Sequence, residues 1–120
     1  MKLTDLDATF VRYGESLHEV DTTSGKRTIM LEREIHVVTL GEAQGIRFQC
    51  PRCFSTSGHY VGVSFEGRGV PDHLGSQGRN GKPSRWTVSG TGIEDLSLSP
   101  SIDISESCGW HGFVTNGVAS

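Results

Sequence analysis

The chain has 120 residues, of which 34% are hydrophobic, 8% aromatic and 16 glycine, so a single domain built from it has little side-chain volume for a core and a backbone that is costly to order. Its net charge of -3 and pI of about 5.9 disfavour a nonspecific nucleic-acid surface, which is normally basic. It has no apolar run of about 18 residues to cross a membrane, and "MKLTDLDATF" lacks the apolar stretch of a signal peptide, so a cytoplasmic protein is expected.

Along the chain, "KLTDLDATFV" is ambiguous and "DTTSGKRT" (21–28) reads as a turn. Period-two alternation then dominates. In "REIHVVTL", Ile35 and Val37 share one face while His36, Val38 and Leu40 share the other. "LGEAQG" suits one short helical turn. "GIRFQC" places Ile46, Phe48 and Cys50 together, and "HYVGVSFEG" alternates through Val61, Val63 and Phe65. "RWTVSG" pairs Trp86 with Val88, and "DLSLSPSIDIS" alternates before and after Pro100. "FVTNGVAS" predicts a tight hairpin, because Asn116-Gly117 suits the two positive-φ positions of a type I′ turn. One mostly β domain over residues 1–120 is predicted.

The three cysteines cannot all pair within one chain, and without an export signal they are expected to be reduced. Cys50 and Cys53 are separated by two residues, as are Cys108 and His111. Each pair follows one predicted strand and precedes another, so two knuckles at strand-turn-strand tips can face one ion, as in a zinc ribbon. The fold class expected is a small zinc-stapled antiparallel β domain with a zinc-ribbon-like core. Cys53 and Cys108 lie much farther apart than the roughly 15–20 residues usual between ribbon pairs, which implies a long insertion between the knuckles. Three thiolates and an imidazole suit zinc better than a hard cation, and four protein ligands describe a structural rather than a catalytic ion. Structural Zn2+ at Cys50, Cys53, Cys108 and His111 is therefore the expected cofactor. His59, six residues after Cys53, is the second candidate for the fourth ligand.

No His-x-Glu with Pro-Cys-x-x-Cys of a zinc deaminase, no His-Glu-x-x-His and no Gly-x-Ser-x-Gly elbow occurs. Asp72-His73 forms an acid-base pair whose ordinary reading is a solvated turn. No catalytic residue is assigned on these grounds. The glycine-rich segment 66–85 exceeds the usual loop length of about 12–15 residues. It carries Arg68, Asp72, His73, Arg79, Lys82 and Arg85, with Trp86 at its base. This cluster is the candidate binding surface, suited to an anionic partner.

"EAQGIRFQCPRCF", "RWTVSGTGIEDLSLSPSI" and "CGWHGFVTNG" resemble a family of small uncharacterised proteins of tailed bacteriophages and prophages. The resemblance implies a phage origin and metal binding at the two knuckles. "TSGKRTIMLEREIH" is longer than the corresponding region of that family. The function expected is a non-enzymatic zinc-binding protein that binds a host protein or virion component in the host cytoplasm or the virion. The alternative is a small-molecule, nucleotide or phosphate binder using residues 66–86; a zinc-dependent enzyme ranks third. Homo-oligomerisation is left open, and neither membrane nor nucleic acid is expected as a partner.

Overall fold

A computed structural model of the chain describes residues 1–56 and 58–120. The fold is mostly β, as the alternation predicts. The first sheet comprises β1 (Thr9–Thr22), β2 (Gly25–Val37), β3 (Gly45–Gln49) and β4 (Tyr60–Ser64), in the order β2-β1-β3-β4. The second comprises β5 (Thr87–Ser89), β6 (Ser97–Ile104), β7 (Trp110–Thr115) and β8 (Val118–Ala119), in that order. All named strand pairings are antiparallel. Helical structure among the described residues is confined to 3-10 turns at Leu3–Asp5, Leu40–Glu42 and Ile93–Asp95. None of it is long and apolar enough to cross a membrane.

The sheets share a core that holds Phe10, Ile46, Phe48 and Val63 from one side and Leu98, Ile102, Trp110 and Val114 from the other. Phe48 meets Trp110 edge-on, with ring centroids 6.2 Å apart. Trp86 ties the sheets together through its backbone: its N–H donates to Ser64 O at 2.9 Å and its carbonyl accepts from Glu66 N at 2.8 Å. The Asn116-Gly117 turn forms as expected, with φ of 50° and 79°. Gly117 is required there twice over, since a Cβ would also strike the Glu94 carbonyl.

The largest departure from expectation is the N-terminal region. Residues 9–22 form one long strand, and β2 begins at Gly25 rather than near Arg33. Phe10 to Thr22 pair with Val37 to Gly25 around a Thr23-Ser24 turn, while only Thr9–Val11 also reach β3. The hairpin therefore projects as a two-stranded arm from a molecule measuring 52 × 32 × 26 Å. Its outer part buries neither face fully, so it carries no alternating apolar signal.

Candidate active site and metal centre

The first knuckle forms where the spacing places it, and of the second pair Cys108 alone joins it. Cys50 follows β3, and its turn is closed by Cys53 N donating to Cys50 O at 3.1 Å. Cys108 lies between β6 and β7, its N–H donating to Ile104 O at 3.1 Å. The ligand atoms of Cys50, Cys53, His59 and Cys108 all lie within 4.8 Å of one another, and Cys50 Sγ is 3.7 Å from Cys108 Sγ. Two sulfurs bound tetrahedrally at about 2.3 Å from an ion stand about 3.8 Å apart. His59 Nε2 is shielded from solvent and has no hydrogen-bond partner among the described residues, as a nitrogen reserved for a metal would be. Burial pushes the Cys50 thiol up. Burial opposes ionisation of Cys108 as well, but the Trp110 N–H and the Cys50, His59 and Cys53 side chains outweigh it and bring that thiol down to about 7. The group can hold a metal ion.

The fourth member of the cluster is thus His59, and His111, expected in that place, stands outside it. The reason is strand alternation. On β7, Trp110, Gly112 and Val114 are buried while His111, Phe113 and Thr115 are exposed. Seating Trp110 in the core sends His111 to the opposite face. His59 reaches the cluster because Cys50 N donates to His59 O at 2.9 Å, which folds the start of β4 back onto the first knuckle.

On its own face His111 meets a serine. Ser101 Oγ lies 2.9 Å from His111 Nε2. With Nδ1 carrying the ring proton, the hydroxyl donates to Nε2. Because Asp103 pairs with His111 and Ile102 with Gly112, Ser101, two residues before Asp103 on the same face of β6, is the diagonal neighbour of the histidine. Asp103 pairs directly opposite His111. Its carboxylate accepts from the Ser105 hydroxyl at 2.6 Å and the Ser105 N–H at 2.9 Å. Those bonds, aided by the charges of His111 and Arg79, hold it below the usual aspartate range. Ser101 and Asp103 also line a cleft of about 520 Å³ with Gly62, Gly78, Arg79 and Trp86. A larger cleft of about 710 Å³ beside Leu40 and Ile93 has no histidine or cysteine in its lining.

A second pair, Ser16 Oγ and His18 Nε2 at 2.8 Å, lies on the projecting arm. His18 is exposed and Ser16 half-buried, and the pair borders none of the clefts described here.

The candidate binding residues of segment 66–86 are not presented together. Arg68 Nη1 donates to Leu40 O and Ala43 O at 2.8 and 2.9 Å. Arg85 donates to the carbonyls of Ser76, Ser84, Pro71 and Leu74. Both guanidiniums are spent on backbone carbonyls, those of Arg68 on the β2–β3 connection and those of Arg85 within the glycine-rich segment. His73 contacts Glu15 on the arm, and Arg79 pairs with Glu106 at 2.9 Å in the open. Asp72 and Lys82 are exposed, Asp72 accepting from Gln77 through its main-chain carbonyl. Trp86 donates from Nε1 to Ser101 O at 3.3 Å. Only Arg79 and Trp86 of the seven reach the cleft that holds Ser101.

Comparison with known proteins places most of the chain in a family. Residues 20–120 match the model of a family described as bacterial ubiquitination-like system serine protease (BubE). The chain belongs to the BubE family. The match contains Ser101, Asp103 and His111 and leaves out Ser16 and His18. It overturns the expectation of a non-enzymatic partner-binding protein, since the BubE family is named for a protease, and it lends no support to the small-molecule alternative. The family name speaks of a bacterial system and does not bear on the phage resemblance. No curated relative and no solved structure matches the chain.

Proposed function

We propose that this chain is a serine peptidase in which Ser101 is the nucleophile and His111 its general base, on a fold stapled by zinc at Cys50, Cys53, His59 and Cys108. One observation carries the reading: the Ser101 Oγ to His111 Nε2 hydrogen bond of 2.9 Å, within the matched residues, with Ser101 but not His111 lining the cleft of about 520 Å³. A serine hydroxyl is a weak nucleophile until a neighbouring base takes its proton. His111 Nε2 accepts that proton as Oγ attacks a peptide carbonyl carbon, and the resulting imidazolium returns it to the departing amine. Water then attacks the Ser101 ester, giving one proton to His111, which hands it back to Oγ as the acid leaves. Asp103, held as a carboxylate across the ladder, favours the imidazolium.

The zinc contributes structure. An ion held by Cys50, Cys53, His59 and Cys108 would have no open position for a substrate, and three thiolates with one imidazole suit zinc. Bound there, it joins the β3–β4 turn to the β6–β7 turn and so fixes the start of the strand that carries His111.

The test is hydrolysis of an unfolded polypeptide. Ser101→Ala and His111→Ala are each expected to lower kcat by about 10³-fold or more, and the double variant by scarcely more than either single one, because the two groups act as a unit. Full activity in folded Ser101→Ala protein refutes the assignment.

A further inference from the structure

The outer part of the arm is a ribbon of two strands. β3 reaches β1 only at Thr9–Val11, and beyond that β1 and β2 pair with each other alone. A two-stranded ribbon is marginal in water without a further strand or a packed face. This one carries exposed apolar side chains at mid-length. Leu17 and Met30, directly paired, are 67% and 55% exposed, and Leu31 on the other face is 43% exposed.

The ribbon has two free edges. Tyr13 N donates to Gln44 Oε1 at 2.9 Å and Val11 O accepts from Gln44 N at 2.8 Å. Odd-numbered residues of β1 thus turn their main-chain groups away from β2, and even-numbered ones turn theirs toward it. The register pairs those even-numbered residues with odd-numbered residues of β2. The N–H and C=O groups of Lys26, Thr28, Met30, Glu32 and Glu34 therefore point outward. Among the described residues no main-chain bond from outside the hairpin reaches them, and such an edge is a template for another strand. The free edge of β1 carries Glu15, Glu19 and Asp21 around Leu17, so two copies paired there would oppose like charges. The β2 edge mixes Lys26 with Glu32 and Glu34.

We infer that two copies of this chain pair antiparallel through their β2 edges, about a twofold axis at Met30, and so join two arms into one four-stranded sheet. In that register Met30 meets Met30 of the second copy, Ile29 meets Leu31 twice and Lys26 meets Glu34 twice. Since Leu17 pairs with Met30 within each arm, an apolar row of Leu17, Met30, Met30 and Leu17 crosses all four strands. Cross-strand apolar and opposite-charge pairs each favour association, and flexible methionines adapt to one another. Arg27 meets Arg33 on the opposite face, where both are exposed and solvent screening keeps their repulsion small. Sliding one strand by two residues in either direction breaks the Ile29-Leu31 and Lys26-Glu34 matches. The contact uses the same edge on both copies, so it closes as a dimer. Its small area makes that dimer concentration-dependent.

The test is sedimentation equilibrium of the full chain over a range of concentrations, for the wild type, Met30→Lys, Lys26→Glu and the double variant Lys26→Glu/Glu34→Lys. A monomer-dimer equilibrium is expected for the wild type. Met30→Lys sets two ammonium groups at the axis and is expected to weaken dimerisation by about tenfold or more. Lys26→Glu is expected to weaken it by about tenfold, and adding Glu34→Lys to recover most of that loss by restoring the pair with reversed signs. The three substituted side chains are exposed, so circular dichroism of the variants is expected to match the wild type. If Met30→Lys does not fold, the charge-swap pair decides. A wild type that stays monomeric at every concentration, a dimer indifferent to Met30→Lys, or a double variant no better than Lys26→Glu overturns the interface. Growth beyond the dimer, as open-ended pairing of β1 edges on β2 edges would give, overturns it as well.

Discussion

Cys108 and His111, three residues apart, serve different sites: the thiol joins Cys50, Cys53 and His59, and the imidazole hydrogen-bonds to Ser101. The short segment Cys108-Gly109-Trp110-His111 thus links the cysteine-histidine cluster to the Ser101-His111 pair, with Trp110 seated in the core between them.

This division predicts opposite outcomes for two histidine variants. His59→Ala is expected to lose bound metal and to lower the melting temperature by about 10 °C or more, because metal binding is coupled to folding. His111→Ala is expected to keep one metal per chain and melt near the wild type while losing activity. Metal analysis and thermal melts of the two purified variants check this. Metal retention by His59→Ala with loss from His111→Ala would restore the assignment drawn from spacing alone.

Asp103 faces His111 and is fixed by Ser105. Asp103→Asn preserves the shape but removes the charge that favours the imidazolium. A loss of about 10²-fold or more in kcat is expected, with KM nearly unchanged and labelling of Ser101 slowed in parallel. A variant that loses affinity at full kcat would show that Asp103 contacts substrate instead.

Arg85 organises the glycine-rich segment by donating to four backbone carbonyls at 2.8–2.9 Å. Arg85→Ala is expected to cost about 2 kcal/mol in denaturant unfolding, from the loss of several charge-assisted hydrogen bonds. Arg85→Lys is expected to recover little, since an ammonium cannot reproduce the planar fork.

Asp95 accepts from the Thr91 N–H, the Gly92 N–H and the Thr91 hydroxyl, and the Thr91 backbone bond leads in holding its carboxyl below the usual value of 3.8. A carboxylate with a depressed folded pKa adds stability above its unfolded pKa and loses it as pH falls through the folded one. Asp95→Asn is expected to melt below the wild type at neutral pH. The gap is expected to narrow only below about pH 4. A gap that closes between pH 6 and 8 would assign the effect to another group.

Strands that bury one face were legible. Alternation marks β3, β4, β6 and β7, and Asn116-Gly117 marks the last hairpin, because each states a local steric or burial requirement. The arm was not legible, since Arg12 to Thr22 have little buried face to announce. Three members of the cluster that could hold a metal were legible from their spacing. The fourth was not, because choosing His59 over His111 depends on which face of β7 the histidine occupies. Alternation within "WHGFV" holds that signal, provided that Trp110 is taken as core. Ser101 has no local mark at all. It becomes special only when β6 pairs with β7 in the register that sets it diagonal to His111, a long-range register that residue types alone do not display.

The most direct test of the central claim is the position of covalent modification. Wild-type protein is treated with a fluorophosphonate and the adduct located by peptide mass spectrometry. One adduct per chain is expected, on Ser101, absent from Ser101→Ala and strongly slowed in His111→Ala. An adduct on Ser16 or any other serine, or no adduct in folded, metal-loaded protein, contradicts the account.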